Sequence, residues 1–182
     1  MKYVWAASKP FLLYPFLFFT RTLGYWDTVK EGAWTDALEN APYKVRERLG
    51  KIYLALLFVD YLVITFVKVR LPLIFRRTLV CDRYVYDLLM EVALSGFHAT
   101  LFSRLMPHLA PEPNIVFFVN ASPKLIIERR PTFSEVDIRA KQQVYQNLAR
   151  MFGFKTIDTR NGFEENQNYI RNQTLLAMGT VG

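Results

Sequence analysis

Cysteine is almost absent: Cys81 stands alone in 182 residues, so no disulfide can form within the chain. Its apolar flank, Thr78-Leu79-Val80, is that of a buried, unreactive thiol in a reducing compartment, and the cytoplasm is the expected location. Glycine and proline are scarce, at 8 and 9 residues, and 52% of the chain is hydrophobic against 21% charged. That balance excludes collagen-like, low-complexity and disordered chains. His98 and His108 have no Cys or further His near them, too thin a set for a zinc site. No small-residue cleavage site follows the apolar run 11–19, so a secretory leader is not expected, and the glycosylation-like triplets at Asn120 and Asn172 read as chance matches. Acidic residues are the minority: 16 Asp and Glu against 23 Lys and Arg leave a net charge of +7, which favours a polyanionic partner such as a nucleotide, a nucleic acid or an acidic lipid. The positive charges are scattered and form no recognised nucleic-acid motif, so nucleic acid is not the expected partner.

One long apolar run stands out. Residues 52–67 carry a single charge, Asp60, and fall short of the ~20 residues that span a bilayer. The run continues a pattern that begins near Tyr43 with Arg46, Glu47, Arg48 and Lys51, and ends at Lys68, Arg70 and Pro72. The spacing predicts one buried helix over 43–71, capped by Asn40 with Pro42 in its first turn and ~43 Å long. A membrane is therefore not the expected partner. A membrane-associated protein held by 52–67 is kept as an alternative, because the basic end is placed to lie against an anionic surface.

Four short runs rich in β-branched and aromatic residues predict buried strands at 3–6, 78–81, 114–119 and 154–157. Helical patterns separate them: 84–105, ended by Pro107; 124–130, opened by the Ser122 cap and Pro123; and a helix from the capping box Thr132-Phe133-Ser134-Glu135 to Phe152, stopped by Gly153. A last helix is predicted over 163–178. Strands alternating with helices imply an α/β fold, a parallel sheet flanked by helices, here as a single domain over 1–182 with no repeat and no linker.

In such sheets ligands gather beyond the carboxyl ends of the strands. Asp82-Arg83-Tyr84 directly follows the strand 78–81 and offers a carboxylate for a metal ion and a guanidinium for a phosphate. The plain alternative is an ion pair or a helix cap at a strand-to-helix junction. Asp158-Thr159-Arg160 follows the last strand in the same way. Arg129 and Arg130 end one helix and Arg139 lies early in the next, a set that either converges on a polyphosphate or forms a solvated surface. The aromatics of 11–19, with Arg21, suit base stacking or, more commonly, a core or dimer interface, and a homodimer is left open.

Leu79-Val80-Cys81-Asp82-Arg83-Tyr84 resembles the site of the thymidylate kinases, where an apolar strand ends in Asp-Arg followed by an aromatic residue or His. Leu56-Leu57-Phe58-Val59-Asp60 resembles that family's Leu-Phe-x-Ala-Asp-Arg helix end, 114–130 its fourth strand, capped helix and lid arginines, and Lys155-Thr156-Ile157-Asp158 its final strand. The likeness spans 3–178, and only Asp-Arg-Tyr is specific. It implies a P-loop kinase-like fold and a nucleoside-monophosphate kinase that converts ATP and a deoxynucleoside monophosphate to ADP and the diphosphate with Mg2+. By that resemblance Arg83 grips the acceptor phosphate and Asp82 organises magnesium. Tyr84, Asp87, Tyr61 and Lys9 border the acceptor, Arg129, Arg130 and Arg139 supply lid charges with Arg130 at the chemistry, and Thr159, Arg160 and Asn161 border the adenine.

The departures are as informative. No Gly-rich phosphate loop occurs, since Gly50-Lys51 lacks both the upstream Gly and a following Ser or Thr. The chain resembles a kinase beginning at its second strand, N-terminally truncated. Without the backbone cradle, the phosphate Lys and the metal-binding hydroxyl, negligible turnover is expected. The missing strand is central in that family, so the strands 78–81 and 114–119 lose their shared neighbour. They then pair directly, borrow a strand, or belong to a longer protein, the last being the favoured reading. Tyr61 stands where the thymine-recognising Arg is expected, Ser8-Lys9-Pro10 replaces Arg-Glu-Pro, and Asp87 takes a Ser or Thr place, which points to a generic monophosphate acceptor. A binding module without catalysis is the alternative.

Overall fold

Each β-rich run forms a strand in the computed structural model, which describes residues 2–5, 11–24, 42–94 and 100–179. Helices outweigh strands, and the strands form two small parallel sheets of two strands each, an α/β mixture. The chain divides into two compact units, Met1–Glu112 and Pro113–Gly182.

In the first unit, β1 (Lys2–Trp5) pairs in parallel with β2 (Leu79–Asp82), in the register Lys2↔Leu79 to Trp5↔Asp82. One sheet face is packed, with Val4 buried, while the other leaves Tyr3 and Val80 exposed. α1 (Leu13–Thr22) lies on α2 (Tyr43–Thr65) through Leu13, Leu17 and Tyr53, with Phe16, Leu54, Leu56 and Leu57 around them. Burying a side chain of the size of Leu13 or Leu17 contributes ~2 kcal/mol. The start of α1 has no cap of its own. Asp60, buried on α2, serves instead, accepting from the Leu12 and Leu13 N–H groups at 2.8 and 2.9 Å. Pro42, expected in the first turn of α2, stands at its N-cap, and Asn40 lies outside the described residues.

The long helix does not run evenly to its end. A π-helical stretch, Phe66–Arg70, precedes α3 (Leu71–Ile74). Pro72 explains it: proline has no N–H for the carbonyl four residues back, and a wider turn upstream accommodates its ring. The helix expected over 84–105 is described as two pieces, α4 (Val85–Leu94) and α5 (Thr100–Leu109), and Pro107 lies within α5 rather than ending it. Val85, Leu89, Met90, Val92, Phe102 and Met106 are buried, and Phe102 meets Phe58 of α2 edge to face at 5.8 Å.

In the second unit, β3 (Phe117–Asn120) pairs in parallel with β4 (Lys155–Asp158). α6 (Pro123–Arg129) opens at Ser122, whose hydroxyl accepts from the Leu125 N–H at 3.3 Å. α7 (Glu135–Phe152) opens at Ser134, which accepts from the Asp137 N–H at 3.1 Å and donates to its carboxylate. The capping pair is therefore Ser134 with Asp137, two residues beyond the expected Thr132 with Glu135. Gly153, at φ 67, closes the helix as its sequence position implied. Phe118 stacks on Tyr145 of α7 at 5.4 Å, Ile138, Leu148 and Ile157 are buried, and α8 (Phe163–Gly179) follows the last strand. Among the described residues, β2 and β3 each have one strand partner.

Candidate functional site

At the carboxyl end of β2 the backbone turns abruptly. Arg83 has φ 60, a left-handed conformation that is strained for a residue with a Cβ, at on the order of 1–2 kcal/mol. Arg76 also has a positive φ, of 53, but it closes α3, its N–H donating to the Leu73 carbonyl at 2.8 Å. Arg83 closes no helix. Its conformation carries the chain from β2 into α4 and sets an exposed guanidinium at the strand tip.

Asp82 shares the open sheet face with Val80 and Tyr3, and the Tyr3 hydroxyl donates to Asp82 Oδ2 at 2.7 Å. That bond holds the Tyr3 phenol above its ordinary pKa. The bland expectation for Asp82, a helix cap, is filled by another acid: Asp87 accepts the Tyr84 N–H at 2.8 Å at the head of α4. The Tyr84 hydroxyl donates to the Pro111 carbonyl at 2.6 Å, and burial raises its pKa. Tyr61 is buried with its hydroxyl beside Thr65, and burial raises its pKa too. The Cys81 thiol, half-buried, is likewise pushed up by desolvation. Lys9 lies outside the described residues.

In the second unit Arg129 sits in the last turn of α6 and Arg130 caps its end, both exposed. Arg139 donates through Nε and Nη2 to Glu135 Oε1 at 2.9 and 2.6 Å, an exposed pair one turn apart. Arg160 forks onto Asp158, with Nη2 at 2.5 Å from Oδ2 and Nε at 3.0 Å from Oδ1. Those side-chain bonds hold the Asp158 carboxyl down at about 2. The Thr159 N–H and hydroxyl both donate to the Asn120 carbonyl, at 3.1 and 3.3 Å. The Asn161 N–H donates to the Asp158 carbonyl, and Asn166 of α8 bonds the carbonyls of both Asp158 and Asn161.

The candidate cations thus fall into two groups. Arg139 and Arg160 are held by acids of their own helix or turn, while Arg83, Arg129 and Arg130 have no described acidic partner. A shallow depression of about 250 Å³ between the second sheet and α7, lined by Phe118, Asn120, Gln146 and Arg150 among others, includes none of the candidate residues. Sequence reasoning overlooked Tyr3 as the partner of Asp82 and Asp60 as the cap of α1. The Glu135–Arg139 pair was readable from its spacing.

Among the described residues no group of three His, Cys, Asp or Glu side chains could hold a metal. Magnesium takes one or two carboxylates and completes its shell with water and substrate phosphate, so Asp82 fits as a single ligand beside a bound phosphate. The backbone cradle that ATP requires has no counterpart in the sequence. Compared with protein-family models, curated proteins and solved structures, the chain matches none of them.

Proposed function

We propose that the chain carries the acceptor-phosphate part of a nucleoside-monophosphate kinase-like phosphotransferase, similar to the thymidylate kinases. With a Gly-rich phosphate loop supplied, the reaction is ATP plus a deoxynucleoside monophosphate giving ADP and the diphosphate. The 182 residues by themselves bind the monophosphate and do not turn it over. The observation that carries this reading is Arg83, an exposed guanidinium without a described acidic partner, held at a parallel strand tip by a left-handed backbone. Strain of that kind is concentrated where a side chain must be presented rather than packed.

In this reading the guanidinium takes two phosphate oxygens by parallel N–H bonds. Asp82, oriented by the Tyr3 hydroxyl, keeps one carboxylate oxygen for a magnesium ion bound with the phosphate. Magnesium supplies charge neutralisation between the two phosphates when bound. Within the second unit Arg129 and Arg130 are exposed cations without a described acidic partner, whereas Arg139 and Arg160 serve their own turns. A purely binding module is the second reading, favoured by the absence of a phosphate loop from these residues.

Calorimetric titration of the purified chain with a panel of deoxynucleoside monophosphates tests the proposal. Arg83→Ala is expected to weaken binding by roughly tenfold to a hundredfold, the worth of a charge-assisted pair. Arg83→Lys should recover only part of it, since an ammonium cannot fork. Failure of every monophosphate to bind would remove the reading, and magnesium-dependent turnover by the chain as given would overturn the expected catalytic silence.

A further inference from the structure

The helical segment from α2 to the turn after α3 has two apolar faces, and among the described residues only one is packed. Tyr53, Asp60, Tyr61, Thr65, Val69 and Pro72 face inward and are buried. On the outer side Val59, Val63, Phe66, Val67, Ile74 and Phe75 are each between 43% and 67% exposed. Their spacing keeps them along one stripe, about 24 Å long from Val59 to Phe75. A row of this size exposed to water marks an interaction surface.

The charges beside the stripe say what it meets. Between Asp60 and Asp82 the chain contains Lys68, Arg70, Arg76 and Arg77 and no acidic residue. Arg70, Arg76 and Arg77 are exposed, around the most exposed apolar residues, Ile74 and Phe75. Apolar side chains ringed by cations match an anionic bilayer surface, where the rings and branched chains enter the acyl boundary and the long basic chains reach the headgroups. A spanning arrangement does not suit the same segment. Its inner face is committed to protein, with Asp60 held by the backbone of α1.

We infer that this protein docks on anionic membranes, with the segment from Val59 to Arg77 lying in the plane of the interface and Ile74 and Phe75 inserted. The sequence reading set membranes aside because the run 52–67 falls short of a span; the helical segment Tyr43–Ile74 is in fact long and apolar enough for one by length and composition, and it is the committed inner face that favours lying flat. The inference stands apart from the nucleotide proposal.

Flotation of the purified full chain with vesicles tests it, using phosphatidylcholine alone and phosphatidylcholine with about one-third phosphatidylserine. Binding is expected only to the anionic vesicles and should fall with added salt. Arg76→Gln with Arg77→Gln should lower partitioning roughly tenfold or more, and Ile74→Ser with Phe75→Ser should abolish it. Both pairs are exposed, so the fold should survive, and an unchanged monophosphate titration or circular dichroism spectrum confirms that. The inference is overturned if the protein ignores both vesicle types, if it binds both equally, or if light scattering shows a lipid-free dimer that the Ile74 and Phe75 substitutions dissociate, which would assign the stripe to a second copy.

Discussion

Asp158 and Arg160 are two residues apart at the end of β4 and share three side-chain hydrogen bonds. The folded pKa, about 2, lies below the ordinary value of 3.8. The carboxylate is thus favoured by folding: its contribution is present above pH 3.8 and disappears as pH falls through about 2. Arg160 is exposed and Asp158 only partly buried, so solvent screens the pair and the effect on global stability is small. It is nonetheless directly measurable: the Asp158 carboxyl carbon should titrate near 2 by NMR and return toward 3.8 in Arg160→Gln, and a midpoint already at 3.8 in the parent would disprove the pairing. The acid that occupies Arg160 was visible in Asp158-Thr159-Arg160, which is why this part of the candidate site could be read locally. Arg83 is different. That a residue follows a strand is legible, but a φ of 60 emerges only when strand, turn and helix are all fixed in space.

Between elements, the buried Asp60 carboxylate is the tie that matters most. It supplies α1 with the N-terminal acceptor its own sequence lacks, from a helix separated from the end of α1 by twenty intervening residues. Asp60→Asn preserves the shape but removes the charge and one acceptor, and is expected to destabilise the fold by about 2 kcal/mol in urea denaturation. A loss below about 0.5 kcal/mol would show that the cap is redundant. The sequence marked Asp60 as the lone charge in an apolar run without revealing its partner, because a contact at a separation of 47 or 48 residues leaves no local trace. Caps that bond locally were legible in part: Ser122 and Gly153 act at the positions read from sequence. The box at the head of α7 was displaced because Thr132 and Ser134 each have an acid three residues on, and only backbone geometry chooses between them.

Over the whole molecule, the strands were legible as apolar runs, whereas their pairing was not. Parallel partners are chosen across intervening helices by the packing of whole layers. Each unit has a strand, β2 or β3, paired along one side by the described residues. In a two-stranded parallel ribbon alternate amides point to the partner and the others away. Hydrogen exchange on the intact chain should therefore show alternating protection along Leu79–Asp82 and Phe117–Asn120. Uniform protection of either strand would mean that a further strand seals it. Such half-satisfied ribbons act as templates on which another polypeptide's backbone can grow. That zippering is made by main-chain groups common to every sequence, so its selectivity would come from the side chains flanking the edge and not from the edge itself.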